Sequence, residues 1–275
     1  MTEITGATKS LMPELKDTEK ALKLVSAAYL TTGSPFLKRY TNKRKRDSLD
    51  KARKFIAEDL EENGGNATLT EGLRCIDRAV ETWRKEIGAQ FGSEEFLKLV
   101  QEESENWRKA SEVFNANDQG KITKLVNGWY NQTLSHIVID QGKWKEGSRI
   151  LEKAGEEFYG ADELNLTLDM IYRASLVIVE NTRHKEKGAK VLVTWAQRFD
   201  SENKPRLAAQ TYYLAGELYG QKVKNPKEAY RNFVTSARRA WKARYISKAI
   251  EAYMEAGTSS VDRALKWAWD KIRRR

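Results

Sequence analysis

Two histidines, His136 and His184, stand 48 residues apart, and each has a single carboxylate one helical turn away, Asp140 and Glu180. Zinc takes three or four ligands, so neither neighbourhood amounts to a metal site. Cys75 is the only cysteine, on a segment whose apolar side also carries Ile76 and Ala79. It reads as a packed thiol rather than a nucleophile, since activation requires a cationic or basic microenvironment. One cysteine cannot close an intramolecular disulfide, which fits a reducing, intracellular and cytoplasmic setting. No Gly-x-x-x-x-Gly-Lys-Ser/Thr loop, Gly-x-Gly-x-x-Gly turn or Gly-x-Ser-x-Gly elbow occurs. Phosphate cradles and nucleophile elbows therefore lack their scaffolds. The carboxylate pairs Glu102-Glu103 and Glu156-Glu157 sit in charged helical stretches and read as solvated surface. The expectation is a non-enzymatic chain with no catalytic residue, cofactor or metal.

The chemistry that remains is electrostatic. The chain carries 49 Lys/Arg and 39 Asp/Glu, a net charge of +10. Residues 205–275 hold 16 of the cations and only 6 of the acids, while the first 204 residues are balanced. Such a field steers an acidic partner, whether a protein, a nucleic acid or an anionic membrane surface. Within it Arg238, Arg239, Trp241, Lys242, Arg244 and Tyr245 interleave cations with aromatics, the arrangement that single-stranded nucleic acid meets by phosphate contact and base stacking. Trp267, Arg273, Arg274 and Arg275 extend the candidate surface to the end of the sequence. A second basic patch, Lys43, Arg44, Lys45 and Arg46, resembles a short nuclear address and is offset by acidic runs at 58–62 and 102–105. The same cations near helix C-termini are also favoured by the helix dipole, by about 0.3–1 kcal/mol without any ligand.

The elements that must hold these residues are helices. With 4 Pro and 17 Gly in 275 residues the chain has few breaks. The prolines suit first helical turns, where a missing N–H costs nothing. Ser34-Pro35 and Asn225-Pro226 read as N-cap and N1, Thr68 with Glu71 as a capping box, and Gly64-Gly65 and Gly257 as C-terminal stops. Apolar residues recurring at three and four predict helices over 13–31, 35–62, 68–88, 93–115, 119–141, 143–158, 162–182, 186–199, 204–221, 226–240, 242–256 and 260–273. No window is apolar enough to span a membrane.

A repeat organises the second half. Gly147, Leu151 and Ala154 are echoed by Gly188 and Leu192 at a spacing of 41, and by Ala229, Phe233 and Ser236 at a further 41; Ala264 and Ala268 form a weaker copy. Upstream, Gly72, Ile76 and Ala79 fit the same rule, whereas Trp195 and Lys271 stand where a small residue is expected. A small residue lets paired helices approach, and the large one fills the groove between neighbours. The stretch Gln141-Gly142-Lys143-Trp144-Lys145-Glu146-Gly147 resembles the turn and second helix of a tetratricopeptide repeat. The longer spacing, together with Leu207–Tyr219 and the segment from Lys227 through Ala237, resembles the soluble NSF attachment protein (SNAP) branch of these solenoids over residues 120–270.

The resemblance implies architecture alone, because the Arg-rich end at 273–275 departs from the apolar tail of SNAP proteins. The expected fold is all-α: a right-handed solenoid of antiparallel helical hairpins, tetratricopeptide-like, with about twelve helices. An N-terminal helical region, 1–117, would run on into hairpins over 118–275. Gly147, Gly188 and Ala229 should be buried at equivalent places. Val261, Leu265, Ala268 and Ile272 should pack on the preceding hairpin, leaving Trp267 either as a partner anchor or folded over the cap. Two functions fit: an adaptor scaffold for a protein partner, or a basic helical subunit that binds nucleic acid.

Overall fold

In the computed structural model, which describes residues 15–30, 38–62, 66–87, 89, 93–117 and 120–258, the backbone is helical wherever apolar residues recur at three and four. The helices are α1 (Lys16–Leu30), α2 (Lys38–Glu62), α3 (Ala67–Glu86), α4 (Glu94–Ala116), α5 (Lys121–Asp140), α6 (Trp144–Gly160), α7 (Leu164–Asn181), α8 (Lys185–Ser201), α9 (Pro205–Glu217) and α10 (Pro226–Lys242). A final one, α11, covers 246–258. There is no strand among the described residues. The expected twelfth helix, 260–273, and the Ser34-Pro35 cap and Gly64-Gly65 stop lie outside them.

Local chemistry explains several helix starts. Pro205 and Pro226 both open helices, and the Asn225 side chain accepts from the Glu228 N–H at 3.3 Å. The expected capping box at Thr68 is replaced by Asn66, whose Oδ1 accepts from the Leu69 N–H at 3.1 Å. Asparagine is among the best N-caps, so α3 starts two residues earlier than the Thr-x-x-Glu pattern suggests. Gly257 is not a stop either: α11 continues through it to residue 258.

The helices form two compact units, Met1–Asn127 and Gly128–Arg275. In the first, α1, α2, α3 and α4 pack each on the next. Its core includes Leu22, Leu49, Ile56, Leu73, Ile76, Trp107 and Phe114. Polar groups fix the register between helices. Asp59 Oδ2 on α2 accepts from both the backbone N–H and the hydroxyl of Thr18 on α1, each at 2.5 Å. Arg53 on α2 reaches Asp77 and Glu81 on α3, each at 2.7 Å. Gly72 on α3 brings α4 close: a Cβ there would lie 2.7 Å from Val113 Cγ1. Cys75 is buried, with its thiol pushed up by desolvation and by Glu71, as befits a packed group.

The second unit is a helical-repeat solenoid of antiparallel hairpins, in which each helix from α6 to α10 packs on its neighbour in the chain. The expected small residues do equivalent work. Gly147 on α6 abuts Ile139 on α5, and Gly188 on α8 abuts Val179 and the Ser175 carbonyl on α7. Ala229 on α10 faces Gly220, in the π-turn Leu218–Val223 that follows α9. The period also governs the joints between hairpins. Asp162, Asn203 and Arg244, spaced by 41, all take left-handed backbone with φ of 64°, 55° and 56°. At each joint the next N–H bonds back to the carbonyl of Phe158, Phe199 or Ala240, at 2.9, 2.8 and 2.8 Å. This is the Schellman closure of a helix, usually built on glycine.

Candidate functional site

The last complete hairpin presents the basic segment, and the burial pattern of α10 decides which way each residue points. Ala229, Asn232, Phe233, Ser236, Ala237 and Ala240 form its buried stripe. Arg238, Trp241 and Lys242 fall at i, i+3 and i+4, so they share a face away from that stripe. All three are exposed, Trp241 at 64% of its surface, and Arg244 is exposed in the joint just beyond. Among the described residues none of the three cations forms an ion pair. An indole flanked by exposed cations offers apolar area and positive potential together, which suits an acidic surface carrying an apolar spot.

The other two members of the segment are engaged within the fold. The Arg239 guanidinium meets Asp200 on α8 at 2.5 Å. The Tyr245 ring lies under the Arg206 guanidinium, 4.7 Å from its centroid. The structure therefore groups Arg238, Trp241, Lys242 and Arg244 and assigns Arg239 and Tyr245 to packing between hairpins. Trp267, Arg273, Arg274 and Arg275 lie outside the described residues. Lys43, Arg44, Lys45 and Arg46 lie in α2, in the first unit, with Lys45 half-buried and the others exposed.

Two features escaped sequence reasoning. Around Tyr159, at the end of α6, Arg198 and Lys204 stack on the ring at 5.0 and 4.1 Å, and Arg198 also covers Trp195 at 4.7 Å. Glu156 holds Arg198 at 2.5 Å, raising the guanidinium pKa further, and Glu202 accepts from Tyr159. Trp195 thus replaces a small residue because it joins this aromatic cluster; the 42-residue spacing of Glu156 and Arg198 was the available signal. The second feature is α11, where Ile246, Ile250, Tyr253 and Met254 are all exposed.

The titratable groups lie elsewhere. Glu103, read from sequence as solvated, is 4% exposed, and its Oε1 accepts from Trp107 Nε1 at 2.9 Å. Burial raises its pKa, and burial together with the Glu103 carboxylate raises that of Glu86 on α3. The sequence reading fails here because a helix of mostly exposed acids carries no mark for the one that turns inward. His136 pairs with the Gln132 side chain at 3.1 Å, and burial, aided by the Arg173 cation, lowers its pKa to about 4. His184 precedes α8, its backbone N–H bonded to Thr182 Oγ1 at 3.1 Å. Among the described residues no three His, Cys, Asp or Glu side chains converge as metal ligands. No helix among them is long and apolar enough to cross a membrane. Neither a protein-family model nor a curated protein sequence matches this chain.

Proposed function

We propose that the chain is a helical-repeat adaptor, without catalytic activity, that binds an acidic protein surface through Arg238, Trp241, Lys242 and Arg244. The observation that carries this reading is the exposed indole beside Arg238, Lys242 and Arg244, three exposed cations that pair with no carboxylate among the described residues. Packed hairpins supply a rigid frame for such a face, and repeat solenoids commonly use their extended surfaces for partners. Resemblance to SNAP-type solenoids supports the architecture of this reading and leaves the partner's identity to experiment.

The test is capture of partners from nuclease-treated native lysate by the wild-type chain, by Trp241→Ala and by the triple charge reversal of Arg238, Lys242 and Arg244 to Glu. A central aromatic anchor costs about 2 kcal/mol or more when truncated, so Trp241→Ala should weaken the captured interaction some thirtyfold at unchanged melting temperature. Undiminished capture by both variants removes the face from consideration.

The same exposed indole between cations also fits single-stranded nucleic acid, with Trp241 as a stacking platform. Under that reading random single-stranded RNA binds directly, with log K falling against log salt by about 2 for three neutralised phosphates. A flat salt response with intact protein capture favours the adaptor.

A further inference from the structure

The seam between α6 and α8 holds a cleft that the following seam closes. It has a volume of about 300 Å³ and is lined by Lys145, Arg149 and Glu152 on α6, His184 in the turn after α7, and Lys187 on α8. Counting on 41 residues, Lys145 and His184 correspond to Glu186 and Asn225, and Lys187 to Glu228. There the Asn225 side-chain amide donates to Glu186 Oε1 at 3.2 Å, which bridges α8 to the start of α10, and Glu228 holds Arg231 at 2.8 Å. Lys145 lacks the acceptor that Glu186 provides, so the same bridge cannot form one repeat earlier. Lys145, Arg149 and Lys187 are all exposed, and none of them forms an ion pair among the described residues.

Helix stability does not account for these cations. Lys145 and Lys187 stand in the first turns of α6 and α8, where the helix dipole disfavours positive charge. Three cations less the Glu152 carboxylate leave the cleft at +2. A phosphorylated side chain brings about −1.5 to −2 at pH 7, with three strong acceptor oxygens. We propose that this cleft binds a phosphorylated serine or threonine side chain of a partner peptide, its phosphate held by Lys145, Arg149 and Lys187. Ile178 and Val191 also line the cleft and give the hydrocarbon part of that side chain an apolar wall. Glu152 sets the class of ligand. It is half-buried, and burial raises its pKa against the pull of the nearby Arg149 charge. A carboxylate in that place leaves charge for one phosphate and repels a ligand that carries several. The site is separate from the α10 face and does not depend on the partner proposed for it.

The test is a binding titration of the full chain with a fluorescent pool of degenerate peptides built around a fixed phosphothreonine, against the same pool without phosphate. The phosphorylated pool should bind at least about tenfold more tightly, and Arg149→Gln combined with Lys187→Gln should abolish that preference at unchanged melting temperature. Should the double variant melt lower, Lys145→Gln is read by the same criterion. Glu152→Gln should tighten phosphopeptide binding by about threefold, since it removes a like charge from the cleft. The charge reversal of Arg238, Lys242 and Arg244 should leave it unchanged. Equal binding of the two pools overturns the proposal, as does a preference that survives a folded cleft variant, disappears with the α10 reversal or weakens in Glu152→Gln. Inositol hexakisphosphate or inorganic phosphate that occupies the cleft as tightly as the phosphopeptide also overturns it, because the ligand is then a free anion.

Discussion

The two units solve the same packing problem by different means. From Gly128 onward one arrangement recurs: a small residue near the start of each second helix, a phenylalanine or alanine under each joint, and a left-handed residue in it. Before Asn127 each contact is particular. Asp59 holds Thr18, Arg53 bridges Asp77 and Glu81, and Glu103 takes the Trp107 N–H. A repeated interface needs only one solution, used several times, and steric size sets it. Unique interfaces each need their own discriminator, and polar groups with directional bonds serve well where apolar surfaces could slide.

The sharpest way to break this contrast is to remove the large residues under the joints. Phe158 and Phe199 occupy equivalent places and are both fully buried. Phe158→Ala and Phe199→Ala should each cost about 3–5 kcal/mol in denaturant titration. Costs that differ by more than half would mean that the two joints are alike in backbone only.

Smaller in effect, Gly188→Ala and Gly72→Ala set the two kinds of interface side by side. A Cβ on Gly188 would lie 2.8 Å from the Ser175 carbonyl, which can yield only if α7 and α8 move apart. On Gly72 the obstruction is Val113 Cγ1 and the Phe114 ring, which can reorient. Gly188→Ala should cost about 1–3 kcal/mol and Gly72→Ala less, by melting or denaturant titration. The reverse order would place the tighter interface in the first unit.

The gentlest probe is pH, because the units should respond in opposite senses. The raised pKa values of Glu86 and Glu103 mean that their contribution to the first unit is complete below the ordinary value of 4.5 and is lost as pH rises through the folded values. His136 is depressed from 6.5 to about 4, so its contribution to the second unit is complete above 6.5 and is lost as pH falls toward 4. Acidification from neutrality to pH 5 should therefore raise the amide protection factors, corrected for the intrinsic pH dependence of exchange, in α3 and α4 and lower them in α5 and α7. Each titrating group contributes at most about 1.4 kcal/mol per pH unit. Glu86→Gln should flatten the first response and His136→Gln the second; a shared pH trend in both units would contradict these assignments.

What the sequence made legible follows the same division. Gly147, Gly188 and Ala229 were readable because a helix pair has one cheap way to come close, and it leaves a small residue at a fixed interval. The joints were not readable, since Asp162, Asn203 and Arg244 share a backbone conformation and no side-chain type. In the basic segment, composition showed that cations and aromatics alternate, but not that Asp200 and Arg206 would engage Arg239 and Tyr245. Those partners lie some 40 residues away, in helices whose register only the packed hairpins establish. Glu103 is the plainest failure, a buried acid in a run of exposed ones.

The joints at Asp162, Asn203 and Arg244 also divide residues 163–203 and 204–244 into cassettes of equal length bounded by the same turn. Each begins and ends on the same backbone turn, so excising one would bring Asp162 to Lys204 in a joint the chain already makes, with Phe158 under it as Phe199 was. Length in this half of the molecule is a count of modules: growth or shrinkage by whole hairpins would reuse the joint, and only the helix faces newly brought together would have to be matched.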